Sequence, residues 1–292
     1  MQRNRNKQLA VLITCHNRRE VTLKCLKTLK DQTGVECVTI DIYLVDDGST
    51  DGTAVAVRER YPDVQVIDGD GNLYWTGGMR LAMDMARIRA PDFYLWLNDD
   101  TIIYPDAIAR LLTTFAELAV DTELPPIVVG SLRDPDTGEL TYGGSCRVNR
   151  WHPLRFSRVS PGSSPKRCDV FNGNLVLFHR AVVNAIGNLH PRLVHVAGDY
   201  DYALRAHKAG VDLWIAPNFF GDCRRNSLSS SSSDPSATLS ERYKRLIGVK
   251  GQPPVPRFVY YRAHGGPLWF LLYPLVYARP LVSSLSRKLR RQ

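Results

Sequence analysis

VTIDIYLVDDGSTDGT (residues 38–53) joins an apolar, β-branched run to an acidic turn and then to a helix signal. Val, Ile, Tyr and Leu at such density favour a strand. Asp-Asp-Gly-Ser stops it, and Ser49, Thr50 and Asp51 offer a cap to a following helix. Similar runs bounded by turn residues stand at 9–14, 64–67, 93–97 and 127–129. Between them, Arg19–Lys30 carries Leu23, Leu26 and Leu29 on one side, and residues 105–118 open with Pro-Asp before an apolar-periodic run. Strands alternating with helices predict an α/β domain around a mostly parallel sheet.

The 292 residues are 44% hydrophobic and 23% charged, which excludes wholesale disorder. A formal charge of +9 points to an anionic partner: nucleic acid, a lipid headgroup layer or a phosphorylated small molecule. None of the six cysteines forms a C-x-x-C pair, which reads as reduced thiols in a cytoplasmic protein. The opening MQRNRNKQLAVLITC reads as a basic arm leading into a first strand, its apolar run too short for a signal peptide.

Two acidic pairs share one edge of the predicted sheet. Asp46 and Asp47 follow the run at 38–45, and Asp99 and Asp100 follow the run in YLWLNDDTIIYPDAI (94–108). Open α/β sheets bind ligands at the carboxyl ends of their strands. Carboxylates there can accept hydrogen bonds from a base or ribose, and a hard Mg²⁺ or Mn²⁺ ion takes a few carboxylate oxygens plus substrate phosphates. A solvated turn is the other reading of either pair alone, but it gives no reason for the two to coincide.

The ordered set VLITCHNRREVTLKCLKTL (11–29), VDDGSTDGT (45–53), GNLYWTGGMRLAMDMA (71–86), LWLNDDT (95–101) and GDYDYALRAHKAG (198–210) resembles glycosyltransferase family 2, the inverting GT-A enzymes, over roughly residues 9–217. The resemblance implies a GT-A fold with a C-terminal helical extension and transfer of a sugar from a nucleotide-diphosphate donor. It implies donor contacts at Thr14, Asn17, Asp46, Asp47 and Asp99, with the nucleobase on Asp46 or Asp47, and a divalent metal, Mn²⁺ or Mg²⁺, on Asp100. Asn72, Gly77, Gly78 and Arg80 look like the loop and helix start beside the donor diphosphate, where glycines let backbone N–H groups approach phosphate. Asp199 matches the position of the family's catalytic base. Asn172, Gly173, Asn174 and Asp201 fall on the acceptor side, although Asp201 reads equally well as a helix N-cap, and Arg205 one turn later can pair with Asp199 or with Asp201. Two departures stand out: Asn98 replaces the first Asp of the D-x-D-like motif, as in rhamnosyltransferase-like members, and Gly198 replaces the usual acidic neighbour of the base. The expected late metal-binding His is missing from IAPNFFGDCRRN, which leaves Asp222 or His264 as substitutes; His195 reads as structural.

These readings divide the chain into a catalytic domain at 1–225 (donor half to about 130, acceptor half beyond), a flexible Ser-rich loop at 226–240 and a basic, amphipathic extension at 241–292. The apolar run of that extension is broken by Pro274, Arg279 and Pro280, too early for a transmembrane helix. Its aromatics and its Arg287, Lys288, Arg290 and Arg291 suit the interface of an anionic membrane better than nucleic acid, and an ordinary C-terminal helix packed on the core is the equal alternative. The expected partners are a deoxythymidine- or uridine-diphosphate sugar, with rhamnose among the candidate sugars, and a saccharide or lipid-linked acceptor used in bacterial surface-polysaccharide assembly; the expected location is the cytoplasm, with peripheral contact at the inner face of the cytoplasmic membrane as an option. A sugar nucleotidyltransferase would need a glycine- and basic-rich signature where this chain has CHNRRE. A non-catalytic basic binding module leaves the aspartates unexplained.

Overall fold

The computed structural model describes residues 6–149, 151–225, 234 and 237–278. The expected basic N-terminal arm, most of the Ser-rich loop and the basic C-terminal tail lie outside the described residues.

Strands β1 (Lys7–Cys15), β2 (Val38–Asp46), β3 (Gln65–Asp68) and β4 (Phe93–Leu97) form the parallel half of a ten-stranded sheet in the order β3-β2-β1-β4. Helices α1 (Arg19–Lys30), α2 (Thr53–Arg60) and α3 (Tyr74–Arg87) connect them. Past a short β5 (Ile102–Ile103) and α4 (Ala107–Leu118), the sheet continues through β6 (Ile127–Arg133), with β7 (Leu140–Tyr142) paired to its end. A separate three-stranded sheet takes β8 (Gly144–Arg147), β9 (Phe156–Arg158) and β11 (Val170–Phe171), while β10 (Lys166–Arg167) joins the edge of the large one. Strand β12 (Leu175–His179) lies antiparallel between β4 and β6. Helices α5 (Arg180–Ile186) and α6 (Gly198–Lys208) lead to β13 (Leu213–Asp222), which runs parallel to β6. The Gly-, Pro- and Ser-rich stretch at 133–167, which carries no periodic signal, is where the small sheet forms.

The sheet is apolar on both sides because both sides are covered, as expected for parallel strands. Leu9, Val11 and Ile13 of β1 face a cluster with Cys25, Leu26 and Leu29 of α1 and Leu111 and Phe115 of α4. The alternate residues Ala10 and Leu12 face Met79, Ala82 and Met83 of α3, Tyr202 of α6 and Trp96 of β4. The C-terminal segment, α7 (Leu239–Ile247), α8 (Pro254–His264) and a helical stretch at 269–278, joins that second cluster through Tyr260, Tyr261 and Val276. The residue before α7, Thr238, closes a capping box with Glu241, so the expected loop ends slightly earlier than 240.

Candidate active site

The carboxyl ends of β1, β2 and β4 and the start of α3 surround a cleft of about 350 Å³. Among the sequence candidates, Thr14, Asp47, Asp99 and Asp100 line it. Arg18, Tyr74, Trp75, Asn98, His195 and Lys250 also line it.

Asp99 and Asp100 converge on one atom: Arg18 Nη1 donates to Asp99 Oδ1 at 3.0 Å and to Asp100 Oδ2 at 2.8 Å. Burial pushes the Asp99 carboxyl up to about 7, against the pull of the Arg18 guanidinium. Asp100 opens further onto the cleft, its side chain 22% exposed, and takes a long hydrogen bond from the Cys223 thiol. Burial and the Asp100 charge push that thiol up to about 12, so it stays protonated. Two carboxylates that meet on a single positive point fit a hard dication, which prefers oxygen donors. No third His, Cys, Asp or Glu completes a metal-binding group among the described residues. The two candidate late ligands are engaged elsewhere: Asp222 accepts from Tyr104 and Arg133, and His264 bonds Asp201.

Asp46 and Asp47 differ sharply. Asp47 spends its carboxylate on backbone, accepting from the N–H groups of Gly71 (2.9 Å), Leu73 (3.1 Å) and Tyr74 (2.7 Å). An acidic group at a helix start satisfies otherwise orphaned donors and complements the helix dipole. The donors that a glycine-rich loop would offer to phosphate are therefore taken by Asp47. Asp46 Oδ1 accepts from the Ser49 N–H at 2.8 Å, while its buried Oδ2 has no protein partner. That oxygen keeps an unused acceptor position, although Asp46 itself does not line the cleft.

Helix α3 begins at Tyr74, so Gly77, Gly78 and Arg80 fall inside it, and they do not line the cleft. A Cβ on Gly78 would stand 2.2 Å from Thr14 Oγ1, so this glycine is what lets α3 close on β1. Asn72 is exposed and bonds Asp70. Asn17, at a φ of +51°, clamps two loops, accepting from the Thr50 N–H at 2.7 Å and donating its own N–H to Ser49. These positions support the site rather than face it.

Asp199 opens α6 behind the cleft. Its carboxylate accepts from the N–H groups of Tyr200 (2.8 Å) and Gly173 (3.2 Å). Burial pushes it up to about 6, against those two donors and the Asn172 side chain. Gly173 connects it to the cleft wall, since a Cβ there would strike the Trp75 ring at 2.3 Å. The Trp75 indole N–H in turn donates to Asn98 Oδ1 at 2.7 Å, and Asn174 supplies the carbonyl that accepts the Asn98 N–H. Both departures from the family pattern have a local cause here. Asn98 serves as a neutral acceptor for Trp75, and any side chain at Gly198 would run into Thr76 Oγ1, 2.4 Å from its Cβ.

Asp201 does not line the cleft. It is buried, accepting from His264 Nε2 and Arg205 Nε at 2.8 Å each, and so ties α6 to α8. Burial would raise its carboxyl, but the His264 hydrogen bond and the Arg205 charge outweigh that and hold it low. The Arg205 pairing suggested by the one-turn spacing is present, whereas the N-cap position of α6 is Ala197.

Three cleft residues, Arg18, Tyr74 and Lys250, were not among the sequence candidates, and His195, read there as structural, also lines the cleft. Arg18 was visible in CHNRRE, but its partners lie more than 80 positions away. Tyr74 has a φ of +52°, uncommon for a bulky residue, and its ring lies 6.0 Å from His195. Burial, aided by the Lys250 charge, lowers the His195 imidazole to about 4, so it is neutral at pH 7. Lys250 comes from the link between α7 and α8, where nothing in the sequence marks it.

The family model described as glycosyl transferase family 2 matches residues 10–179. Two curated relatives, the N-acetylglucosaminyl-diphospho-decaprenol L-rhamnosyltransferases of two Mycobacterium tuberculosis strains, are each 25% identical over 230 residues, covering 70% of this chain and 72% of the relative. Among solved structures, S. aureus TarS 1–349 in complex with UDP superposes with a TM-score of 0.54 at 12% identity, covering 87% of this chain and 71% of that one. The mannosyltransferase PcManGT from Pyrobaculum calidifontis, in complex with GDP-Man and Mn²⁺, gives 0.51 at 18%, covering 93% and 68%. These two similarities bear on the fold, which is GT-A, an α/β sheet flanked by helices with further helices at the C-terminal end.

Proposed function

This chain belongs to glycosyl transferase family 2, and from that premise we propose that it is an inverting transferase. In this reading it moves a sugar, rhamnose in the favoured case, from a deoxythymidine- or uridine-diphosphate donor to a lipid-linked saccharide. The observation that carries it is the pairing of a carboxylate raised to about 6, Asp199, with the convergent Asp99, Asp100 and Arg18 cluster across Trp75 and Asn98. The name of the mycobacterial relatives supports both rhamnose and a lipid-diphosphate acceptor.

Asp46 Oδ2, which has no protein partner, takes a hydrogen bond from the donor's base or ribose, and Tyr74 offers a ring in the cleft wall. Arg18 and Lys250 bring positive charge to the diphosphate. Asp99 and Asp100 would hold a Mn²⁺ or Mg²⁺ ion, which when bound neutralises charge on the leaving diphosphate. Asp199 takes the proton of the acceptor hydroxyl as its oxygen bonds the anomeric carbon and the bond from that carbon to the diphosphate oxygen breaks. Such proton transfer contributes roughly 10²- to 10⁴-fold in rate, most effectively when the base titrates near the working pH. A base at about 6 is ionised at neutral pH and still basic enough to accept.

The test is thermal stability with a panel of nucleotide-diphosphate sugars, each with Mn²⁺ and with chelator, followed by product analysis on the donor that stabilises. Ligands that bind only the folded state raise its melting temperature. A metal-dependent shift with one donor and transfer of its sugar with inverted anomeric configuration is expected. Retained configuration would overturn the inverting mechanism, and no shift with any donor would overturn the transferase reading.

A further inference from the structure

Residues 241–292 contain eleven Lys and Arg against a single acidic residue, Glu241. That excess is larger than the +9 of the entire chain, so the preceding 240 residues are close to neutral. Among the described residues this cationic segment also carries a run of exposed large apolar side chains. In the stretch PLWFLLYPL (267–275), which holds no charge, one side packs inward through Trp269, Leu272 and Tyr273, followed by buried Val276. The opposite side leaves Leu268, Phe270, Leu271 and Leu275 between 51% and 57% exposed. Val255 and Phe258 of α8 extend it at 64% and 38% exposed. The Phe258 ring meets Trp269 edge-on at 5.3 Å and Tyr273 at 5.8 Å, which joins the two helices into one surface.

A helix apolar all round that is covered on one side only is either incomplete or facing something apolar. No helix among the described residues is long and apolar enough to cross a membrane. We propose that the outer side of residues 254–278 is a docking face for an anionic membrane leaflet. Leu268, Phe270, Leu271 and Leu275 enter the boundary between headgroups and acyl chains, and the positive charge of the segment, with exposed Arg262 on α8 part of it, meets anionic headgroups. The charge selects this occupant. A second copy seated on the same face would bring two strongly cationic segments together, whereas a leaflet supplies both the apolar medium and the opposite charge. The same segment reaches the cleft through Lys250 before α8, and its His264 is bonded to Asp201 of α6, two positions after Asp199. Docking by this face therefore holds the cleft near the headgroups, which suits the lipid-linked acceptor; that last consequence alone rests on the transferase reading.

The experiment is flotation of the full chain with vesicles of phosphatidylcholine, with and without phosphatidylglycerol, at low and high salt and with no donor or acceptor present. The wild-type chain is expected to float with the anionic vesicles at least tenfold more than with the neutral ones, and less at high salt. Phe270→Glu combined with Leu271→Glu, both exposed, is expected to cut that binding at least tenfold while the melting temperature and the shift given by the donor stay unchanged. Unaltered flotation of the double variant, or a wild-type chain that ignores anionic vesicles, would overturn the proposal. So would a wild-type dimer that the double variant splits, because the face would then belong to a second copy. Since donor binding is read separately, a failure here leaves the transferase reading standing, and the reverse holds too.

Discussion

Replacing Asp201 with Asn should cost stability and leave catalysis nearly intact. The carboxylate is 2% exposed and joins α6 to α8 through His264 and Arg205 at 2.8 Å each. Arg205 keeps two other partners after the change, the Ile186 and Asn188 carbonyls, and its head group is 24% exposed, so solvent can compensate it in part. His264 has no such reserve, because its buried Nδ1 already lacks a partner. Breaking a buried ion pair from one side costs about 3–5 kcal/mol, and the surviving bonds of Arg205 put this case near the lower end. For a chain of this size that corresponds to a fall in melting temperature of roughly 6–12 °C. The folded-state carboxyl lies below its ordinary value. Its contribution is therefore fully present above the unfolded value of about 4 and is lost as the pH falls through the folded one. The gap between wild type and Asp201→Asn should be widest near pH 7 and narrow below about pH 4. Calorimetric scans across that range, with kcat measured beside them, test this. A melting temperature within about 2 °C of wild type together with a hundredfold loss of kcat would refute the reasoning and return Asp201 to the acceptor site.

Gly78→Ala puts a methyl group 2.2 Å from Thr14 Oγ1, and forced repacking of that kind costs about 1–3 kcal/mol, readable as a lower melting temperature with donor specificity retained. Asn98→Asp adds a third carboxylate beside Asp99 and Asp100, so it should lower the melting temperature in chelator and enlarge the stabilisation by Mn²⁺; equal Mn²⁺ shifts in both proteins would contradict this. Arg18→Met removes the guanidinium that shares Asp100 with any cation, and calorimetry without nucleotide should find Mn²⁺ binding tightened roughly two- to fivefold, the scale of a partly exposed ion pair.

The parallel half of the sheet was legible because strands buried on both faces read as unbroken apolar runs, and β4 begins and ends where its run does. The small sheet was not, since strands of two to four residues carry no period. At the site, sequence order brings out the carboxylates but not their duties. Asp46 and Asp47 are adjacent, yet one has an oxygen without a partner and the other is saturated by backbone 24 to 27 positions away. The bond between Asp201 and His264 spans 63 positions, and Lys250 reaches the cleft only because the C-terminal helices fold back on the core. Such contacts are set by packing, and no local pattern encodes them.

Asp199→Asn keeps the shape of the side chain and removes its basicity, so donor affinity and single-turnover transfer measured together on the folded variant test the central claim most directly. The account predicts a donor Kd within about twofold of wild type, transfer lowered by roughly 10²- to 10⁴-fold, and a wild-type rate that rises with pH through an apparent pKa near 6. Transfer by Asp199→Asn at the wild-type rate, with the same pH profile, would contradict it.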